Sequence, residues 1–396
     1  MSERPIILFD DRIARDWRPL TLTRPAGELL FGTATLRARA EHALGGTCIG
    51  HLTAQHLRDF DEPWAPGVLD PDRLDAEGVR TFLLSRFIPE PASLPDTPAL
   101  LVAHDRVVGC QLAPGAAPPA SGFFLDPEAH APGLPRHTLP GRTLDRVWEL
   151  MTGNADRVAR DLDGADHAAL PPDVHHLGPG PVTVGRDVAI APGAVLDTRH
   201  GPIRFDDGVT VEPFTRVVGP TYVGPGSTLL GGPFEAVSIG PACKVHGEIE
   251  ETVILGYSNK AHDGFLGHAY LGMWVNLGAL TTNSDLKNNY GPVRIWTPTG
   301  ETDTGERKVG CFLGDHVKTA IGTLLNTGTV AEAGSNIFGG MPPKYVPPFS
   351  WGSPATVYDV ERFLATAETV MGRRDVPLTD RQRNLLRAAA ALRPGR

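Results

Sequence analysis

Between residues 182 and about 340 an aliphatic residue returns every six positions, and this period constrains the fold more than any other feature. One run is Val184, Ile190, Leu196; a second is Phe205, Val211, Val217, Val223, Leu229. Later steps are Leu271 and Leu277, then Leu313, Thr319, Leu325, Ala331 and Ile337. A repeat this short cannot bury its apolar side alone, so successive units must stack into a solenoid. A step of six specifies a parallel β-helix, and the expected fold is a left-handed one. Each hexad gives one short strand with its aliphatic residue inward, and small residues permit the corners. Three hexads close a triangular coil, and coils stack at roughly 4.8 Å. An ordinary β-sandwich would instead need period-two alternation and hairpin turns.

The remaining sequence divides around this solenoid. Residues 1–140 read as a mixed α/β domain, with strands at "PIILF" and "TPALLVAHDRVVGCQL" and helical spacing in "TATLRARAEHAL" and "DPDRLDAEGVRTFLL". Residues 141–175 read as a helical linker. Leu144, Val147, Trp148, Met151 and Val158 fall at helical intervals behind Thr143 as the expected cap. The β-helix domain is expected over 176–352 and a helical tail over 353–396. Within the β-helix, residues 279–312 abandon the six-step count in a long polar excursion, and loops on a rigid solenoid are where binding chemistry usually sits.

Charge and composition narrow the classes of function. The formal net charge is -9 with no block of like charge, which argues against nucleic acid as a partner. No apolar run approaches membrane-spanning length, and the opening "MSERPIILFDDR" places acids directly behind its apolar run, unlike a signal peptide. Four separated cysteines without C-x-x-C spacing suit reduced thiols, so a cytoplasmic setting is expected. Of the 37 basic residues only six are lysine (244, 260, 287, 308, 318 and 344), and none precedes position 244. A site that needs compact ammonium groups would produce such clustering.

The polar cluster lies in "SNKAHDGFLGHAYLGMWVNLGALTTNSDLKNNYG". His262 stands between Lys260 and Asp263, with Glu248 fourteen residues upstream and Asn276 and Asn283 within about a coil's length. A histidine, with an ordinary pKa of roughly 6.5, accepts a proton near neutrality. A carboxylate one coil away can hold its tautomer, asparagines can position hydroxyls or an amine, and Lys260 and Lys287 can meet phosphates. Polar groups that the packing of a repeat does not need are a site hypothesis.

These residues carry a resemblance. The hexads are similar to those of the hexapeptide-repeat acyltransferases. The spacing Glu248, His262, Phe265-Leu266-Gly267, Val275-Asn276-Leu277-Gly278-Ala279, Asn283 resembles the acetyltransferase half of the bifunctional N-acetylglucosamine-1-phosphate uridyltransferase/glucosamine-1-phosphate acetyltransferase family, in its alternative, divergent branch. The resemblance implies a cytoplasmic enzyme of amino-sugar nucleotide metabolism, feeding UDP-N-acetylglucosamine and cell-envelope precursors. It implies His262 as general base, Glu248 orienting it, and Asn276, Asn283, Lys260, Lys287 and Phe265 toward the substrate. Acetyl-CoA would be the acyl donor, an amino-sugar phosphate the acceptor, and a homotrimer the working unit. The family carries a tyrosine where this chain has Phe265, and a lysine opposite Glu250.

"RPLTLTRPAGELLFG", residues 18–32, resembles the start of a sugar-phosphate nucleotidyltransferase, without the glycines that would approach a triphosphate closely. That resemblance implies Arg18, Thr21 and Arg24 as nucleotide contacts, a nucleoside triphosphate substrate and Mg²⁺; Arg12 and Arg15 are further phosphate candidates, and Asp10, Asp11 or Asp105 are the candidate metal ligands. A domain kept for structure or regulation is the competing expectation. Two other readings use the same solenoid. One is a zinc lyase of the γ-carbonic anhydrase type with ligands among His246, His262, His268 and His316. The other is a structural or regulatory coil without catalysis.

Overall fold

A computed structural model describes residues 4–74 and 80–394. The hexads form a left-handed parallel β-helix whose three faces are parallel sheets. One face runs from His175–Leu177 to Leu266–Gly267, a second from Val182–Val184 to Tyr345–Val346, and a third from Ala189–Ile190 to Asn259–Lys260. Neighbouring coils lie in register, so one inward residue stacks on the next. Phe205, Val223, Ile239, Ile254, Leu271, Leu313, Ala331 and Val346 form such a column on the second face. All are at most 1% exposed and belong to the core that fills the coil. Burial at about 25 cal/mol per Å² of apolar surface holds the stack, and each residue added repeats the gain.

The N-terminal unit is a six-stranded sheet in the order Gly46–Leu52, Arg4–Phe9, Arg80–Leu84, Arg106–Leu112, Ala99–Ala103, Arg136–Thr138. The first three strands are parallel, and Arg106–Leu112 runs antiparallel to its neighbours. The helix Leu36–Leu44 forms where expected, capped by Thr35 and closed by Gly45 at φ 61°, a left-handed position that favours glycine. The helix expected across residues 70–84 does not form over its described part. Pro71–Arg73 is a single 3-10 turn, and Arg80–Leu84 is a buried central strand; residues 75–79 of that stretch lie outside the described residues. Burial on both faces removed the alternation that would have marked it as a strand. The linker is also shorter in helix than its periodicity suggests. Thr143 belongs to the strand Gly141–Thr143, and the helices are Glu149–Thr152 and Asn154–Asp161, parted at Gly153.

This unit packs on the outer side of the β-helix's second face. Tyr222, Val253, Tyr270, Phe312 and Val330 point outward from the coil, yet they share one buried cluster with Trp17, Leu20, Leu22, Leu30 and the linker residues Leu144, Val147 and Met151. Polar groups stitch the seam. The Tyr270 hydroxyl donates to Leu30 O at 3.0 Å, and fully buried Asn154 bonds both Gly32 and Ser238. Arg18 pairs with Glu332, and Arg24 with Asp315 at 2.7 Å.

The polar excursion folds back onto this seam. Its hairpin, Arg294–Thr297 with Gly300–Asp303, buries Ile295 in the shared cluster and stacks Trp296 on Tyr345 at 3.8 Å. In the tail, Ser353–Val357 is a strand closing the third face, followed by the helices Val360–Gly372 and Asp380–Ala391. Among the described residues no helix is long and apolar enough to cross a membrane. All four cysteines are free and buried.

Candidate active site on the solenoid corner

The corner between Asn259–Lys260 and Leu266–Gly267 carries His262. Its side chain is exposed, and among the described residues no hydrogen bond or ion pair holds the ring. Glu248 stands on the neighbouring coil, directly before the strand Ile249–Glu250, and is likewise exposed and unpaired. In the register of that face Ile249 lies beside Leu266, so Glu248 falls beside Phe265, with both side chains outward. The two groups thus share one corner without a bond between them. The Phe265 ring lies along the strand over Gly267. A Cβ at Gly267 would meet that ring at 2.3 Å, so only glycine lets the phenyl group lie flat there.

Two of the expected substrate residues face the other way. Lys260 occupies the inward position in the column Val211, Leu229, Val245, Lys260, and is 1% exposed. Its ammonium donates to His262 O and, at 3.2 Å, to His246 O, so it pins the corner from inside. Burial pushes it down to about 8, against an upward pull from Asp263, and burial likewise holds Lys318 at about 8. An unfolded lysine keeps its ordinary 10.5. Between those values the unfolded chain binds more protons, so these two residues should make stability rise with pH from about 8 to 10.5. A Lys260→Met, Lys318→Met double variant should lose that rise when melting temperature is followed against pH. The four buried thiols, pushed up to about 12, act oppositely but are common to both proteins.

Asn283 also points inward, beside Leu325, and is 1% exposed. Its amide accepts from Gly267 N at 2.9 Å and donates to Gly267 O at 2.9 Å, with a further bond to Ser284 O. Both amide hydrogens are therefore spent on backbone. Asn283→Ala should leave Gly267 unpaired and cost about 1–3 kcal/mol, measured as a shift of the urea midpoint. Asn276 lies on the outer side of the third face between Asn259, whose amide it accepts at 3.0 Å, and Lys318. Lys287 donates to Pro292 O within its own loop.

One coil corner further on, Glu250, His268 and Asp285 converge. His268 Nδ1 is 2.8 Å from Asp285 Oδ2 and 3.8 Å from Glu250 Oε1, and Lys308 Nζ is 3.4 Å from the same Glu250 oxygen. The sequence offered one signal for this cluster, the reversal of charge at Glu250. The histidines of the zinc-lyase reading stay apart. His246 meets Asp263 at 3.3 Å, and His316 is buried against Phe363, where burial pushes its imidazole down to about 3. Among the described residues Glu250, His268 and Asp285 are the one group of three or more metal-type ligands, with a single histidine.

In the N-terminal unit the residues expected at a nucleotide serve the seam. Arg18 bonds Glu332, whose carboxylate is fully buried. Arg24, 1% exposed, pairs with Glu62 at 3.0 Å and Asp315 at 2.7 Å. Thr21 donates to Arg15 O at 3.3 Å. Asp10 accepts from Ser85, Thr53 and Ala26 N, and Asp11 caps the helix Arg12–Arg15 and pairs with Arg86 at 2.7 Å. Asp105 sits on an exposed turn at φ 63°, without a partner among the described residues. These residues do not fit a magnesium ion, because the buried carboxylates are spent and the free one is isolated. Open α/β sheets bind ligands beyond the carboxyl ends of their strands. There a cleft of about 640 Å³ opens, lined by Arg15, Thr53, Gln55, Arg58, Asp70 and Asp72.

Comparison with known proteins agrees with this architecture. Residues 6–168 match the family model described as sugar nucleotidyl transferase. The N-terminal α/β unit is thus nucleotidyltransferase-like. The chain is 31% identical over 163 residues to the bifunctional protein GlmU of Acaryochloris marina, covering 39% of this chain and 34% of that one. It is 34% identical over 114 residues to GlmU of Rippkaea orientalis, covering 27% and 23%. To a bifunctional sugar-1-phosphate nucleotidylyltransferase/acetyltransferase of Sulfurisphaera tokodaii it is 30% identical over 93 residues, covering 24% and 23%. The chain thus spans about a third or less of the length of these relatives. Resemblance to the bifunctional transferases, first carried by the His262 spacing, stands at modest identity.

Proposed function

We propose that the β-helix is a CoA-dependent N-acyltransferase acting on glucosamine 1-phosphate or a related amino sugar, with acetyl-CoA as donor and His262 as general base. The observation that carries this reading is the pairing of an exposed, unbonded imidazole with an exposed, unbonded carboxylate, Glu248, on one corner of adjacent coils. The amine nitrogen attacks the thioester carbonyl and its proton passes to His262. The carbonyl re-forms as the C–S bond breaks, and the CoA thiolate takes up a proton. Glu248 is a positioning residue, turned toward the imidazole once an acceptor closes the corner. Asn276 and Phe265 flank the acceptor. Lys260 and Asn283 act from inside the coil by fixing the backbone on which His262 and Phe265 stand.

The corner is open in a single chain. Leu280, Ile321 and Leu324, 56%, 77% and 51% exposed, lie on the coils that follow His262 around the same corner and the strand beyond it. Covering them with a second copy would desolvate the site, which supports a homotrimer with its clefts between subunits. Sedimentation at assay concentration should show the trimer, and monomer alone would contradict it. The reaction is tested by thiol release from acetyl-CoA with a panel of amino sugars and their phosphates.

A second reading concerns the N-terminal unit, and the cleft at its strand ends favours it. A nucleoside triphosphate would lie against Arg15, Arg58 and Thr53 rather than against Arg18 and Arg24. Pyrophosphate release from UTP or dTTP with a sugar phosphate, lost in Arg15→Ala, is the expected result. No release with any nucleotide would leave the unit as a docked scaffold.

A further inference from the structure

We propose that Glu250, His268 and Asp285 form a binding site for a divalent transition-metal cation of the zinc type. Three successive coils supply one ligand each. Glu250 ends the strand Ile249–Glu250, His268 follows Leu266–Gly267, and Asp285 follows Thr282–Asn283. The register stacks Gly267 on Glu250, and Asn283 bonds Gly267 in turn, so the three side chains leave the same corner one above another. Their ligand atoms all lie within 4.8 Å of one another. Zinc takes nitrogen and oxygen ligands at about 2.0–2.2 Å, so ligand atoms around one ion stand roughly 3.3–3.6 Å apart. The Nδ1 to Oε1 separation of 3.8 Å is already near that value, and the 2.8 Å to Asp285 needs to open by less than an ångström.

A second observation points to a ligand. Asp285 is 8% exposed, and its Oδ2, turned toward His268, is buried without a hydrogen-bond partner. His268 Nδ1 is buried and unsatisfied in the same way, because the two atoms approach outside hydrogen-bond geometry. The two atoms meet as an ion pair at 2.8 Å without hydrogen-bond alignment, which is costly under burial, and a shared cation would satisfy both. Two carboxylates and a neutral imidazole balance the charge of a divalent ion. One nitrogen and two oxygens suit zinc and its neighbours better than magnesium or calcium, which favour all-oxygen sets. His268 is fixed at φ 47° in the corner, so its ring is aimed by backbone as well as by packing. Lys308, 3.4 Å from Glu250 Oε1 and half exposed, is the competing cation.

The test uses the full chain, stripped with chelator and titrated with Zn²⁺ against a chromophoric competitor. One equivalent should bind per chain. His268→Ala and Asp285→Asn should each weaken it by more than about tenfold, the lower bound that the loss of an outer-shell partner sets. Lys308→Ala should tighten binding, a gain that misfolding cannot produce. Co²⁺ in place of zinc should give visible absorption without a thiolate charge-transfer band. No uptake by the wild type would overturn the proposal. So would uptake that all three substitutions leave unchanged.

Discussion

Acetyl transfer by a His262→Ala variant should fall by about 10²–10⁴-fold, the usual contribution of a positioned general base. The loss should appear in kcat, with KM for acetyl-CoA little changed, because the imidazole acts on the acceptor's proton rather than on the donor. The fold should not suffer. The ring is exposed and, among the described residues, bonded to nothing, so the substitution falls among surface changes worth within about 0.5 kcal/mol. That separation matters here, since Lys260 and Asn283, two residues of the same cluster, are buried and would lose activity through stability instead. Glu248→Gln should give a smaller loss together with a changed pH–rate profile, as expected of a group that acts through the histidine. Wild-type turnover in His262→Ala would remove His262 from the chemistry and place the base elsewhere in the chain.

The largest effect on stability should come from Asp315→Ala, at about 3–5 kcal/mol. Asp315 is 4% exposed and serves three donors. Its Oδ2 accepts from Arg24 and from the Thr23 hydroxyl, both at 2.7 Å, and its Oδ1 accepts from Met273 N at 2.8 Å. Burial works against the charge on Arg24, but Asp315 and Glu62 more than offset it and hold the guanidinium protonated more firmly than usual. Removing Asp315 leaves that buried cation with one carboxylate and opens the seam at its centre. The expected readout is a lower urea midpoint with earlier proteolytic cleavage between the N-terminal unit and the coil. Asp315→Asn keeps an acceptor for Met273 N and should fall between the two.

Much of the solenoid was legible because a six-step repeat states both the strand and its inward residue. Followed strictly, the same count also explains what reading by residue type missed. Six steps from Ile254 arrive at Lys260 and then Leu266, and six-step counting from Leu271 arrives at Leu277 and then Asn283. Both polar residues therefore sat on inward positions in the sequence itself, and their chemistry drew attention away from their register. The seam was hidden for a different reason. Arg18 and Arg24 find their partners 314 and 291 positions away, and no local pattern marks such a pair. Outward Tyr270, Phe312 and Val330 were the available hint, since apolar residues on the outside of a coil require something to cover them. The strand Arg80–Leu84 was missed because a central strand buried on both faces has no alternation to show.

Function divides along the same line. The N-terminal unit matches a sugar nucleotidyl transferase model, but the residues that the "RPLTLTRP" motif offers to a nucleotide are committed to Glu332, Asp315 and Glu62. The corner at His262 has the opposite character, with the His262 and Glu248 side chains unpaired among the described residues and its apolar neighbours exposed. Chemistry at that corner is the claim from which the rest of the account follows. Its most direct test is mass-spectrometric analysis of amino-sugar acceptors incubated with acetyl-CoA and the full chain. The account expects an acceptor that gains one acetyl group with wild-type protein and gains almost none with His262→Ala. An acetylated product formed equally well by both proteins, or by neither with any acceptor in the panel, would contradict it.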